Sequence, residues 1–149
     1  MKIKNPTTSS VISYLQSLGN YSEKFYRGLT DRFPEYSSLF LGFANESKSY
    51  SVLISRTYQE TVTDALETAF SFEGFDLEDT LPKDTLNESA GLAKSIDDSL
   101  NLERTASELY TDIAKRSLGY LSTIQNVLLR IGNKRKSRIS KLIELKTQI

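Results

Sequence analysis

Near the C-terminus, Arg135 and Arg138 interrupt an apolar stripe. In alternating steps of three and four, Leu121, Ile124, Leu128, Ile131, Arg135, Arg138, Leu142, Leu145 and Ile149 form one seam of a long amphipathic helix. Three residues apart, the two guanidiniums share a face. Each is a fixed cation with a planar fork of donors that suits carboxylate or phosphate oxygens. A third charge interrupts another seam, Leu92, Ile96, Ser99, Glu103, Ala106, Tyr110 and Ile113. Glu103, Arg135 and Arg138, with Ser47, Tyr50 and Tyr110, are therefore candidates for a polar core network or an anion site. Ser22 and Ser99 fall on the same kind of inward position. No residue is assigned a catalytic role.

The composition removes most other chemistries. The 149 residues include no cysteine and no histidine. Disulfides, thiolate nucleophiles and thiolate metal sites are excluded, as are Ser-His-Asp and Cys-His catalysis. A metal site would have to be built from carboxylates, which favours Mg, Ca or Mn. The acidic run Glu73, Asp76, Glu78 and Asp79 lacks the spacing of an EF-hand loop. No cofactor is expected. The formal net charge is zero, but residues 1–114 carry 10 basic and 18 acidic side chains, and residues 115–149 carry 9 and 1. A basic helix packed on acidic neighbours explains such a split, as does a nucleic-acid surface. No run of 18 apolar residues is present, so no membrane span is expected, and the opening MKIKNPTTSS has no apolar run after its charges. The expectation is a cytoplasmic protein.

These candidates need long helices to bring them together. The length suits a single domain, residues 1–149. After a short tail, Thr8, Ser9 and Ser10 are each N-cap candidates. Ile12, Leu15, Tyr26, Leu29 and Phe33, with Gly19 and Ser22, then trace a helix over about 9–33 that Pro34 ends. A second helix over about 35–70 turns Tyr36, Phe40, Phe43, Ser47, Tyr50, Ile54 and Thr57 inward. Residues 71–87 lose the periodicity and form a connection long enough to cross a bundle. Helices over about 88–116 and 119–148 follow, and strand signals are absent. The fold class is all-α: an antiparallel four-helix bundle of two helical hairpins joined by a long crossover.

The halves repeat weakly. Phe25-Tyr26 precedes Asn45-Glu46-Ser47-Lys48-Ser49-Tyr50, and Leu109-Tyr110 precedes Asn133-Lys134-Arg135-Lys136-Ser137-Arg138. With the spacing of Glu103, Ala106 and Tyr110, this pattern resembles the ferritin-like superfamily, and most closely its rubrerythrin-like branch, over about residues 10–148. The resemblance implies a core that once held two metal ions between a glutamate and a Glu-x-x-His pair from each half. The positions corresponding to those ligands are Gly19, Ser47, Tyr50, Glu103, Arg135 and Arg138. Only Glu103 keeps a ligand type, so the diiron site is degenerate and no metal is expected. The resemblance also implies a homodimer.

Four readings follow. In the first, Glu103 pairs with both arginines and the chain is a structural or interaction protein with no enzymatic role, open to a protein partner. In the second, the arginines bind a small anion or phosphate ligand in the core. In the third, Arg130, Lys134, Arg135, Lys136, Arg138, Lys141 and Lys146 form a nucleic-acid stripe, although no aromatic interleaves with them for stacking. The fourth is a residual metal-dependent, rubrerythrin-like oxidoreductase.

Overall fold

A computed structural model describes residues 2–61, 72, 75–78, 81, 90–117 and 122–149. Four long helices dominate them: α1 (Thr8–Arg32), α2 (Ser37–Thr61), α3 (Leu92–Arg116) and α4 (Ser122–Thr147). Their apolar periodicity is the reason they form, since each buries one stripe against the others.

Thr7, one residue before the expected candidates, caps α1, and its hydroxyl oxygen accepts from the Ser10 amide at 3.2 Å. The helix closes at Phe33, whose amide donates to the Leu29 carbonyl, because Pro34 cannot continue it. Pro34 instead opens a single 3-10 turn, Pro34–Tyr36, so α2 begins at Ser37 rather than 35. The expected continuation of α2 through 62–70 lies outside the described residues. Helix α3 starts at Leu92 behind Gly91, later than the expected 88. At its far end the Ser117 hydroxyl donates to the Ile113 carbonyl at 2.7 Å. The expected start of the last helix at 119 falls outside the described residues.

The expectation of no strands is corrected. β1 (Lys2–Lys4) and β2 (Asp76–Glu78) pair antiparallel, with Ile3 opposite Leu77. Both read polar, apolar, polar, but three residues are too few for alternation to register as a strand signal. Their charges are complementary, and Lys2 Nζ lies 3.3 Å from Asp76. The N-terminal tail is thereby tied to the connection between the helix pairs. Asn5, at φ 47°, donates its amide to the Phe75 carbonyl, and the Phe72 amide donates to the Pro6 carbonyl. Phe72, Phe75 and Leu77 are buried.

Helix α1 packs mainly on α2 and α3 mainly on α4, with α2 also lying against α4. Among the described residues two apolar clusters form the core. One gathers Leu15 and Leu18, Ile54, Ile113 and Tyr110, and Leu128 and Ile131 around the strand pair's Leu77. The other gathers Phe25 and Tyr26, Phe40 and Phe43, Ile96 and Leu100, and Leu142 and Leu145. Each fully buried aliphatic side chain contributes about 1.5–3 kcal/mol. Along every helix the residues between these clusters are small or charged: Ser22, Ser47, Glu103, and Arg135 with Arg138. A polar layer divides the apolar core in two.

Candidate functional site

The polar layer is built by one inward position on each of α1, α2 and α3 and two on α4. Glu103 is at its centre, with both it and Arg135 0% exposed. Arg135 Nη1 donates to both Glu103 oxygens, at 2.9 and 2.8 Å. Arg138 Nη1 donates to Oε1 at 3.3 Å. Tyr26 Oη donates to Oε2 at 2.8 Å. One carboxylate thus accepts from three side chains on two helices.

The serines orient the arginines. Ser22 Oγ donates to the Leu18 carbonyl of its own turn at 2.7 Å, which leaves its lone pair to accept from Arg135 Nη2 at 3.1 Å. Ser47 repeats the arrangement on α2: it donates to the Phe43 carbonyl at 2.8 Å and accepts from Arg138 Nη1 at 3.1 Å. Arg138 Nη2 reaches the same Phe43 carbonyl at 3.2 Å, and Nε reaches Glu46 at 3.3 Å. Glu46 is the rim of the layer, with a side chain 44% exposed. Ser99 donates within its own turn, to the Ser95 carbonyl.

The aromatic rings line the guanidiniums. The Arg138 guanidinium carbon lies 5.1 Å from the Phe43 ring centroid, 5.4 Å from Tyr50 and 5.7 Å from Tyr26. Arg135 lies 5.9 Å from the Tyr110 ring. Desolvated cation–π contacts of this kind favour the charged arginine. Burial works against the Arg135 cation, but Glu103 and the neighbouring tyrosines outweigh it and hold its pKa above the ordinary guanidinium value. Burial, reinforced by Glu103, pushes the Tyr26 hydroxyl well above the usual tyrosine range against the opposing pull of the arginines. Burial also raises Tyr50 and Tyr110.

Of the candidates named from sequence, Glu103, Arg135, Arg138 and Ser47 meet through hydrogen bonds. Tyr50 and Tyr110 meet them through ring faces, Tyr50 against Arg138 and Tyr110 against Arg135. Two partners escaped the sequence reading. Tyr26 reads as one more aromatic of an apolar seam, and Glu46 reads as one step out of register. Glu46 reaches the layer because arginine is long enough to extend to the rim.

The donor set does not fit a metal pair. One carboxylate and two permanent cations repel a divalent ion rather than ligate it. Among the described residues no group of three or more Asp or Glu side chains could hold a metal ion. Nor is the basic stripe intact as a surface. Arg135 and Arg138 are buried, while Arg130, Lys134, Lys136, Lys141 and Lys146 are exposed, Lys146 paired with Asp97 at 2.6 Å. Most guanidinium donors are already committed to protein acceptors, so a phosphate between the arginines would have to displace Glu103. No helix of the described residues is long and apolar enough to cross a membrane.

No protein-family model matches the chain, and neither a curated protein nor a solved structure does.

Proposed function

We propose that this chain is a non-catalytic helical bundle of ferritin-like ancestry in which an arginine–glutamate–arginine layer stands where a diiron centre would be. It works as a structural or interaction protein. The observation that carries this reading is the hydrogen bonding of Glu103, fully buried, to both Arg135 and Arg138. The layer supplies no general base, no nucleophile and no metal ligand set. What it can do is fix helix register, because each guanidinium finds its acceptors at one setting of α4 against α1, α2 and α3.

Ferritin-like ancestry is supported by the pairing of α1 with α2 and α3 with α4, and by the repeat that aligns Tyr26 with Tyr110. An antiparallel arrangement is supported by the order of contacts. The early part of α1 shares a cluster with the late part of α2, and Ile113 of α3 shares it with Ile124 of α4. The interaction half of the reading, including a homodimer, rests on the outer faces of α2 and α4. There Leu41, Val52, Leu129 and Ile143 are exposed.

Two measurements test the reading. Metal analysis of the purified chain should find no stoichiometric iron or manganese, and either metal at one or two equivalents overturns it. Sedimentation velocity should find a dimer, and a monomer at high concentration removes the self-association.

A further inference from the structure

The Glu46–Arg138 pair at the rim of the polar layer fixes which surface charges share a face. At 3.2 Å it pins one side of α2 to one side of α4. On α4, Arg130, Lys134 and Lys141 stand eight and four residues before Arg138 and three after it, so they continue its side. On α2, Ser49, Leu53 and Arg56 stand three, seven and ten residues after Glu46 and continue that side in turn. Ile54 shares a cluster with Leu128 and Ile131, and Phe43 shares the other with Leu142. Arg56 therefore lies toward the Arg130 end of α4, not the Lys141 end.

The seam between α2 and α4 is thus flanked by cations from both helices. Arg56, Arg130, Lys134 and Lys141 are all exposed, and among the described residues none pairs with an acid. Glu46 is offset by Arg138, and the exposed acids nearest the seam, Glu60 and Glu144, stand at its two ends. The α2 row opens on a shallow groove of about 340 Å³ lined by Lys48, Ser49, Val52, Leu53 and Arg56. Lys48 adds a fifth cation there.

Two observations choose among anionic partners. The exposed aliphatic residues of α4 point elsewhere. Leu129 lies three residues before Gly132, which sits against Thr111 and Tyr110 of α3, and Ile143 lies two heptads after Leu129. They do not share a surface with the seam's cations, as a membrane-binding face requires. No aromatic ring lines the groove, so bases would have nothing to stack on. What the seam can bind is a backbone of phosphates. At about 1.5 Å per residue, the row from Arg130 to Lys141 covers about 16 Å. A nucleic-acid duplex carries about ten charges over that length.

We propose that Arg56, Arg130, Lys134 and Lys141 bind the phosphate backbone of a nucleic-acid duplex across the α2–α4 seam, without reading its sequence. This gives the interaction half of the functional reading a partner class, and it depends on neither the homodimer nor the ancestry.

Fluorescence anisotropy of the full chain with a labelled 20-base-pair DNA tests it. Four phosphate contacts predict a slope of log K against log salt near −3.6, so that doubling the salt weakens binding about 12-fold. Lys134→Gln and Arg56→Gln should each reduce the slope by about 0.9. Lys24→Gln on α1 and Lys115→Gln on α3, also exposed, should leave it unchanged. A duplex of scrambled sequence should bind equally. All of these are surface changes, and circular dichroism checks that each variant folds. No binding at 25 mM salt overturns the proposal. So does a slope that Arg56→Gln leaves intact, which would reduce the seam to α4 alone. Displacement of the duplex by AMP at matching concentration, or tighter binding to phosphatidylglycerol vesicles than to the duplex, overturns it as well. Failure of the Glu103 network would appear separately, as an unchanged unfolding midpoint of Glu103→Ala.

Discussion

Tyr26 Oη donates to Glu103 Oε2 at 2.8 Å across 77 residues of sequence, in a part of the core that water does not reach. The phenol belongs to one apolar cluster and its proton to the polar layer, so this bond joins the two. Tyr26→Phe keeps the ring and deletes the donor. It should destabilise by about 1.5–3 kcal/mol, the range for a hydrogen bond to a charged group. Urea unfolding checks this.

Removing the hub should cost more. Glu103→Ala leaves two guanidiniums buried without their shared anion, and the expected loss is about 3–5 kcal/mol. A change within about 0.5 kcal/mol in chemical denaturation would sink the structural reading of the layer. Replacing Glu103, Arg135 and Arg138 together by apolar residues of similar volume should recover much of that loss, because no uncompensated charge remains.

Alkaline stability follows from the tyrosines. Burial raises the pKa of Tyr26, Tyr50 and Tyr110 in the folded chain above the ordinary value near 10. Above that pH the unfolded chain releases protons that the folded chain retains, so stability falls as pH rises. Below it both states are protonated and these groups contribute no slope. Denaturation midpoints measured from pH 8 to 11.5 should be level and then drop, and Tyr26→Phe should drop less steeply.

Gly19 lets α1 and α2 approach closely, with Ser51 Oγ where a Cβ would be and the Ser47 carbonyl 3.3 Å from it. Gly19→Ala should therefore destabilise by about 1–3 kcal/mol through overpacking, despite the better helix propensity of alanine. Adding Ser51→Gly should restore part of the loss, and a double-mutant cycle of urea midpoints measures the coupling.

The strand pair anchors the tail to the core through Leu77, which is 3% exposed. Leu77→Ala should cost about 2–5 kcal/mol by thermal or urea unfolding. An unchanged midpoint would show that the pair adds nothing to the helices.

Much of the helical framework was legible in the chain itself. The 3.6-residue period locates four inward stripes, and Pro34 marks the end of α1 by backbone chemistry alone, whereas the start of α3 behind Gly91 falls later than the expected 88. The same period exposes Glu103, Arg135 and Arg138 as charges on buried faces. In a chain without cysteine or histidine, that leaves pairing among themselves as the simplest arrangement. The strands stayed hidden because three-residue alternation carries too little signal.

Only the tertiary structure decided who meets whom. Periodicity reports which face of a helix is buried, but not its height or rotation against its neighbours. Those two quantities bring the Tyr26 hydroxyl to Glu103, let Glu46 reach Arg138 from the rim, and set the Tyr110 and Tyr50 rings against Arg135 and Arg138. A hydrogen bond is sensitive to a few tenths of an ångström and to angle, whereas burial is not. The sequence therefore determined the charges in the core, and the packing of four helices determined their partners.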